Sequence, residues 1–220
     1  MATNYTGQIT TPAAPNTGTP GEEYEQRYFS QTFSNMGNYF QRVTSIIATL
    51  FGPRGGKYIN VPYGAFQDTT DQTPAANTAT LLQLNTTDFS NGVTVVDSTK
   101  ITVAQPGLYN LQFSVQVENL GNTIQDMSIW LRQNGTDIVG STGLVGLEAR
   151  KNATEFYHSI VGWNYPLKLN ANDYIQIVFS TNSTNVSIQA YPVGTSPTRP
   201  STASVVATML FVSNLSTETA

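Results

Sequence analysis

Apolar residues recur at Phe29, Phe33, Met36, Phe40, Val43, Ile47 and Leu50, in alternating steps of four and three. The mean step is about 3.5, the repeat of a helix whose apolar seam meets another helix, not the 3.6 of a helix lying on a globule. Beyond Tyr63 the rhythm falls to two. In PGLYNLQFSVQVEN, Tyr109, Leu111, Phe113, Val115 and Val117 share one face, and Asn110, Gln112, Ser114 and Gln116 share the other. That alternation predicts a half-buried strand. Further strands are predicted in YGAFQD, ATLLQLN, VTVVDS, KITVA, DMSIWLRQ, TDIVGS, ATEFYHSIVGWNYPLKL, NDYIQIVFST, VSIQAY and SVVATMLFV. Asn91-Gly92, Asn134-Gly135, Asn172-Asp173 and the loop PVGTSPTRPST separate them with turn chemistry. Many short strands so punctuated predict a mainly β fold, an antiparallel sandwich or jelly roll, over residues 63–214.

Two strands break the alternation. In SVVATMLFV, Val205, Ala207, Met209 and Phe211 point one way while Val206, Leu210 and Val212 point the other. In FYHSIVGWNY, Phe156 and Ile160 oppose Tyr157, Val161, Trp163 and Tyr165. A sandwich facing water alternates apolar with polar residues. Strands apolar on both faces need a second dry surface, and another copy of the chain supplies one through cyclic symmetry. Tyr109, Leu111, Phe113, Trp130, Tyr157, Trp163, Tyr165, Phe179, Val206 and Leu210 are the expected sandwich-core or trimer-interface residues.

Residues 1–20 form a different segment. They hold no charged side chain, include Pro12, Pro15 and Pro20, and read as an extended arm. Tyr5 and Ile9 are its best apolar anchors. An arm so polar gains order by lying along a partner. Thr19 suits the N-cap of the helix and Pro20 its first position. Glu22 and Glu23 complement the dipole of the first turn, and Gly52-Pro53 ends the helix. The expected units are therefore the arm, a helix over 21–51, a breaker-rich linker over 52–62, the β domain over 63–214 and a tail over 215–220. Ser30, Thr32, Gly37 and Thr44 flank the seam, with no charged pairs to set register. Large Phe33 and Phe40 widen it beyond a two-stranded coil. Three arrangements satisfy the seam: a short homotrimeric coil, packing on the chain's own domain, or docking on a foreign surface.

Only 11% of residues are charged and the formal net charge is −4. The ten basic residues are scattered, which argues against nucleic acid, whose phosphates call for clustered Lys and Arg. Cysteine is absent, so disulfides and thiolate zinc sites are excluded. The opening residues have neither the basic nor the apolar region of a signal peptide, and no stretch is long enough to span a membrane. Asn-X-Ser/Thr triplets begin at Asn4, Asn85, Asn134, Asn152, Asn182, Asn185 and Asn214. In a chain this rich in Asn and Thr, they are expected by chance.

Catalytic chemistry finds little footing, and no enzyme activity, cofactor or metal is expected. His158 is the single histidine, so any Ser-His-Asp arrangement would rest on it. Inside a strand, it reads instead as a satisfied core or interface histidine. Asp68 and Asp71 read as solvated turn carboxylates. Glu148, Arg150, Lys151 and Glu155 read as a salt-bridged loop. Arg54-Gly55-Gly56-Lys57 is too short for a phosphate loop. Trp163, Tyr165 and Tyr191 could stack on sugars if exposed, but the core or the trimer axis is the expected place for each.

Four stretches carry a family likeness. Gly107-Leu108-Tyr109-Asn110-Leu111-Gln112-Phe113 resembles the Gly-x-Tyr-x-apolar-x-Phe strand opening of the tumour-necrosis-factor and complement-globular-head jelly rolls. Trp130 to Gly135 resembles their strand ending in a basic residue and an Asn-Gly turn. Leu169 to Ile177 resembles their Leu-x-x-Gly-Asp run, with Asn172 where Gly is usual, and Thr208 to Val212 suits the closing strand. The resemblance implies a compact homotrimer about an aromatic and aliphatic axis. Tyr63 to Thr73, Leu84 to Asp88 and Ser90 to Val93 are similar to openings of jelly-roll domains in virion proteins of tailed bacteriophages. That implies location in a virion, on the capsid surface or the tail. The role implied is a capsid decoration or cement protein held to the major capsid protein, or another virion protein, by its arm. The alternative is a tail or head fibre recognising host surface glycan.

Overall fold

The computed structural model describes residues 13–15, 26–51 and 61–214. The chain divides into two compact units, Met1–Asn60 and Val61–Ala220. In the first, α1 spans Gln26–Phe51. The predicted cap Thr19, Pro20, Glu22 and Glu23, the stop at Gly52-Pro53, the anchors Tyr5 and Ile9, and the tail lie outside the described residues. So does the side chain of Leu50. Along α1, Phe29, Phe33, Met36, Phe40 and Ile47 are exposed and Val43 is half-buried. The seam is therefore an apolar row on the helix surface.

The second unit is an antiparallel jelly-roll sandwich. Its strands are β1 (Tyr63–Asp68), β2 (Thr80–Leu81), β3 (Thr86–Asn91), β4 (Val93–Val96), β5 (Lys100–Val103), β6 (Gly107–Asn119), β7 (Gln125–Gln133) and β8 (Thr136–Asp137). Then come β9 (Gly143–Leu147), β10 (Tyr157–Leu169), β11 (Tyr174–Thr181), β12 (Val186–Ile188), β13 (Gly194–Thr195), β14 (Thr198–Arg199) and β15 (Val205–Ser213). One sheet runs β10-β6-β15-β1-β3, with β12 also on β6. The other runs β4-β5-β11-β7-β8, with β2 on β11 and β9 on β7. We call these the first and second sheets. A small β13–β14 hairpin stands apart, in the stretch predicted as loop.

The core is built by period-two alternation from both sheets. Tyr109, Leu111, Phe113, Val115 and Val117 of β6 all point into it, as their spacing predicts. Phe179 joins them from the second sheet, and Tyr157, Trp163 and Tyr165 pack partly buried against it. Tyr109 is fully buried, meets Phe211 edge-on at 5.5 Å between ring centroids, and donates its hydroxyl to the Gln105 carbonyl at 2.8 Å. A Cβ at Gly107 would overlap the Phe211 ring, which is the physical reason for glycine at the head of the Gly-x-Tyr motif.

Burial pushes the Tyr109 phenol up to about 12 and raises Tyr191 as well, with the Glu118 charge adding to burial there. A phenol that stays protonated longer when folded contributes stability in full below its unfolded pKa of about 10, and loses it as pH rises through the folded value. The β domain is therefore expected to lose stability from about pH 10 upward. Urea midpoints across pH 8 to 12 measure this, and a flat profile would contradict it.

Several predicted elements change shape. Of ATLLQLN only Thr80–Leu81 pairs, and of TDIVGS only Thr136–Asp137, because Gly140 (φ 81°) turns the chain away. The strands β3 and β9 carry weak patterns, TTDFSN and GLVGL, and are absent from the prediction. Asn91-Gly92 is not a hairpin turn but the corner where the chain leaves the first sheet for the second. Asn134-Gly135 is a left-handed hairpin turn, at φ 49° and 83°. Asn172 stands in for glycine at φ 68°, a region asparagine tolerates. Asp173 ties these two turns together, accepting from Asn134 at 2.7 Å and from the Asn170 amide at 2.8 Å. Burial works against its ionised form, yet these bonds and one from Gln133 hold the carboxyl below the usual range.

Asp68 corrects the expectation of a solvated turn carboxylate. It is fully buried at the end of β1, because β15 pairs alongside and covers it. Its Oδ1 accepts from the Thr70 amide at 2.7 Å and the Thr70 hydroxyl at 2.6 Å, and Ser204 approaches at 3.3 Å. This pins the loop after β1 to the start of β15. Asp71 is exposed but anchors the Ala190 amide at 2.8 Å.

Candidate assembly interface

The first sheet turns one face to the core and the other outward. On β15, Val205, Ala207 and Met209 are buried inward, while Val206, Leu210 and Val212 point out and remain 43%, 47% and 57% exposed. On β10, Ile160 is 67% exposed. Between these strands β6 presents a polar row. Val206 and Gly162 flank Ser114, Thr208 and Asn164 flank Gln112, and Leu210 and Pro166 flank Asn110. The outward surface is thus an apolar stripe beside a line of amides and a hydroxyl. Full burial of a large aliphatic side chain is worth roughly 1.5–3 kcal/mol. These side chains, already partly covered, have about half of that each still to gain. The amides would ask a partner for hydrogen bonds, which makes register specific.

At one end of this face a cleft of about 470 Å³ is lined by Gln67, Ser114, Gln116, Arg199, Thr202 and Val206, among others. Beside it lies an ionisable group. His158 and Glu118 are cross-strand partners. The Tyr191 hydroxyl donates to Glu118 Oε2 at 3.1 Å, and His158 Nδ1 lies 2.9 Å from that hydroxyl and 3.4 Å from the carboxylate. Glu118 is buried, whereas the His158 side chain is 53% exposed. His158 is therefore not a core histidine. It is a partnered one on the outward face, and its neighbours are a phenol and a carboxylate rather than a serine nucleophile. Of the four-residue charge cluster, Lys151 and Glu155 pair at 2.8 Å on the exposed loop, an interaction of about 0.2–1 kcal/mol at most. Among the described residues no group of three or more carboxylates or histidines could hold a metal ion. No helix there is long and apolar enough to cross a membrane.

The expected site residues separate cleanly. Tyr109, Leu111, Phe113 and Phe179 belong to the sandwich core, and Tyr157, Trp163 and Tyr165 border it. Val206 and Leu210 belong to the outward face. Trp130, expected in the sandwich core or at a trimer interface, is not a core residue. Met127, Ile129 and Leu131 take the inward positions of β7, so Trp130 lies on the outer face of the second sheet, with Nε1 donating to Asp137 at 2.9 Å. Its own alternation carried that signal.

No family model and no curated protein matches the sequence. Among solved structures the chain is similar to the globular domain of zebrafish complement 1qA protein, at a TM-score of 0.43 and 12% identity. The match covers 70% of this chain and 99% of that one. The fold itself is read from the strand pairing above.

Proposed function

We propose that this chain is a homotrimeric structural protein of a tailed-bacteriophage virion, a capsid decoration or cement protein held by its N-terminal arm. The observation that carries the self-association is the exposed stripe of Val206, Leu210 and Val212, with Ile160, on a sheet whose other face already encloses a full core. The exposed 3.5-spaced seam of α1 is compatible with it, since a homotrimeric coil is one of the arrangements that would cover such a seam. The virion assignment rests on the sequence resemblance of residues 63–93. The arm, uncharged and proline-bearing, suits main-chain pairing with a capsid protein. Three arms on one trimer raise the effective concentration of each, so attachment becomes nearly permanent.

The test is a chain lacking residues 1–20. It is expected to keep its oligomeric mass and lose binding to capsids, measured by co-sedimentation. Full decoration by the truncated chain would refute the anchoring role. The second reading, a fibre that recognises host glycan, is favoured by one feature, the cleft on the opposite sheet described next. Copy number separates the two, with tens to hundreds per particle for decoration and about a dozen for a tail fibre.

A further inference from the structure

The outer face of the second sheet carries a cleft of about 380 Å³ around Trp130, within the size range of small-ligand sites. Strand β7 supplies Ser128 and Trp130 on its outward side. The turn at Asn134-Gly135 returns the chain so that Asp137 pairs beside Arg132. The segment Ile138 to Thr142 then forms the opposite lip. The indole is oriented, not loose, because its Nε1 donates to Asp137 Oδ1 at 2.9 Å, and Arg132 Nε donates to the same oxygen at 2.8 Å. These two bonds hold the Asp137 carboxyl below its usual range. The carboxylate is thereby ionised and paired with Arg132, which stands outside the lining of the cleft. Among the described residues Asp137 Oδ2 and the hydroxyls of Ser128 and Thr142 have no internal partner, and these residues line the cleft with Trp130. Val139, at the lip, is 97% exposed and adds an aliphatic edge.

We propose that this cleft binds a neutral saccharide, one pyranose ring lying on the Trp130 indole with its hydroxyls meeting Asp137, Ser128 and Thr142. A pyranose has an apolar face of C–H groups and a polar rim, which is the pattern offered: a fixed aromatic plane, flanking hydroxyls and a carboxylate acceptor. A simple anion would leave the indole unused and meet the carboxylate. A purely apolar ligand would leave the carboxylate oxygen unsatisfied. The site lies on the sheet opposite the proposed assembly face, so it stands whether or not that face pairs copies. In a trimer it would be presented three times, converting weak single contacts into avidity.

The experiment uses the full chain and three probes at millimolar concentration: methyl α-glucopyranoside, methyl β-galactopyranoside and N-acetylglucosamine. Saturation-transfer NMR is expected to show transfer to the ring protons of at least one. Trp130→Ala should weaken that signal at least tenfold. Thr142→Arg, at an exposed position on the lip, should abolish it by filling the cleft, and it decides the matter if the alanine variant fails to fold. No transfer to any probe would overturn the proposal, as would transfer that both variants leave unchanged.

Discussion

A chain carrying Val206→Glu together with Leu210→Glu is expected to behave as a single 23.9 kDa species while keeping a β-rich circular dichroism spectrum. Both side chains point away from the core and are about half exposed. In the isolated domain each carboxylate would sit in water, and the cost is a shift in strand preference of at most about 1 kcal/mol. In an assembly that covers this face, each copy would take two added carboxylates out of water. An unpaired buried charge costs several kcal/mol even after relaxation, and three copies multiply the penalty. The effect on association is therefore far larger than the effect on folding, and the two are read separately by light scattering and circular dichroism. A double variant that keeps the assembled mass of the unmodified chain would show that this face is not what holds the copies together.

Tyr109→Ala is expected to destabilise the β domain by about 3–5 kcal/mol, the range for removing a large aromatic from a core. A domain of this kind has about 5–15 kcal/mol in all, so the variant sits near the edge of folding. Tyr109 is among the largest fully buried side chains, and Phe211 loses its edge-on partner when it goes. Tyr109→Phe keeps the ring and removes only the bond to the Gln105 carbonyl, for about 1–2 kcal/mol. It should also remove part of the alkaline instability. Urea unfolding of the two variants side by side tests the packing account. Equal losses in both would show that the hydroxyl, not the ring, carries the stability.

Much of the fold was legible because burial in a sandwich is written at period two. Strand β6 reads directly, since five inward residues alternate with polar ones. The double-faced character of β15 was equally plain, as no polar residue occupies positions 206, 210 or 212. What was not legible depended on long-range pairing. Strand β3 is polar and mostly exposed, and it is a strand because β1 offers it an edge. Asp68 looked like a turn residue because nothing local announces that β15 closes over it. Trp130 lies outside the core for another reason. A large aromatic suggests a core by type, yet its phase on β7 is outward, and phase decides direction. The partnership of His158 with Glu118 and Tyr191 joins residues from β6, β10 and the segment after β12, which no spacing reveals.

We propose that the outward face of the first sheet is covered by copies of the same chain. Light scattering on the full chain at micromolar concentration tests it most directly. A well-folded species of three times the 23.9 kDa of one chain is expected. A folded species at the mass of a single chain would contradict it.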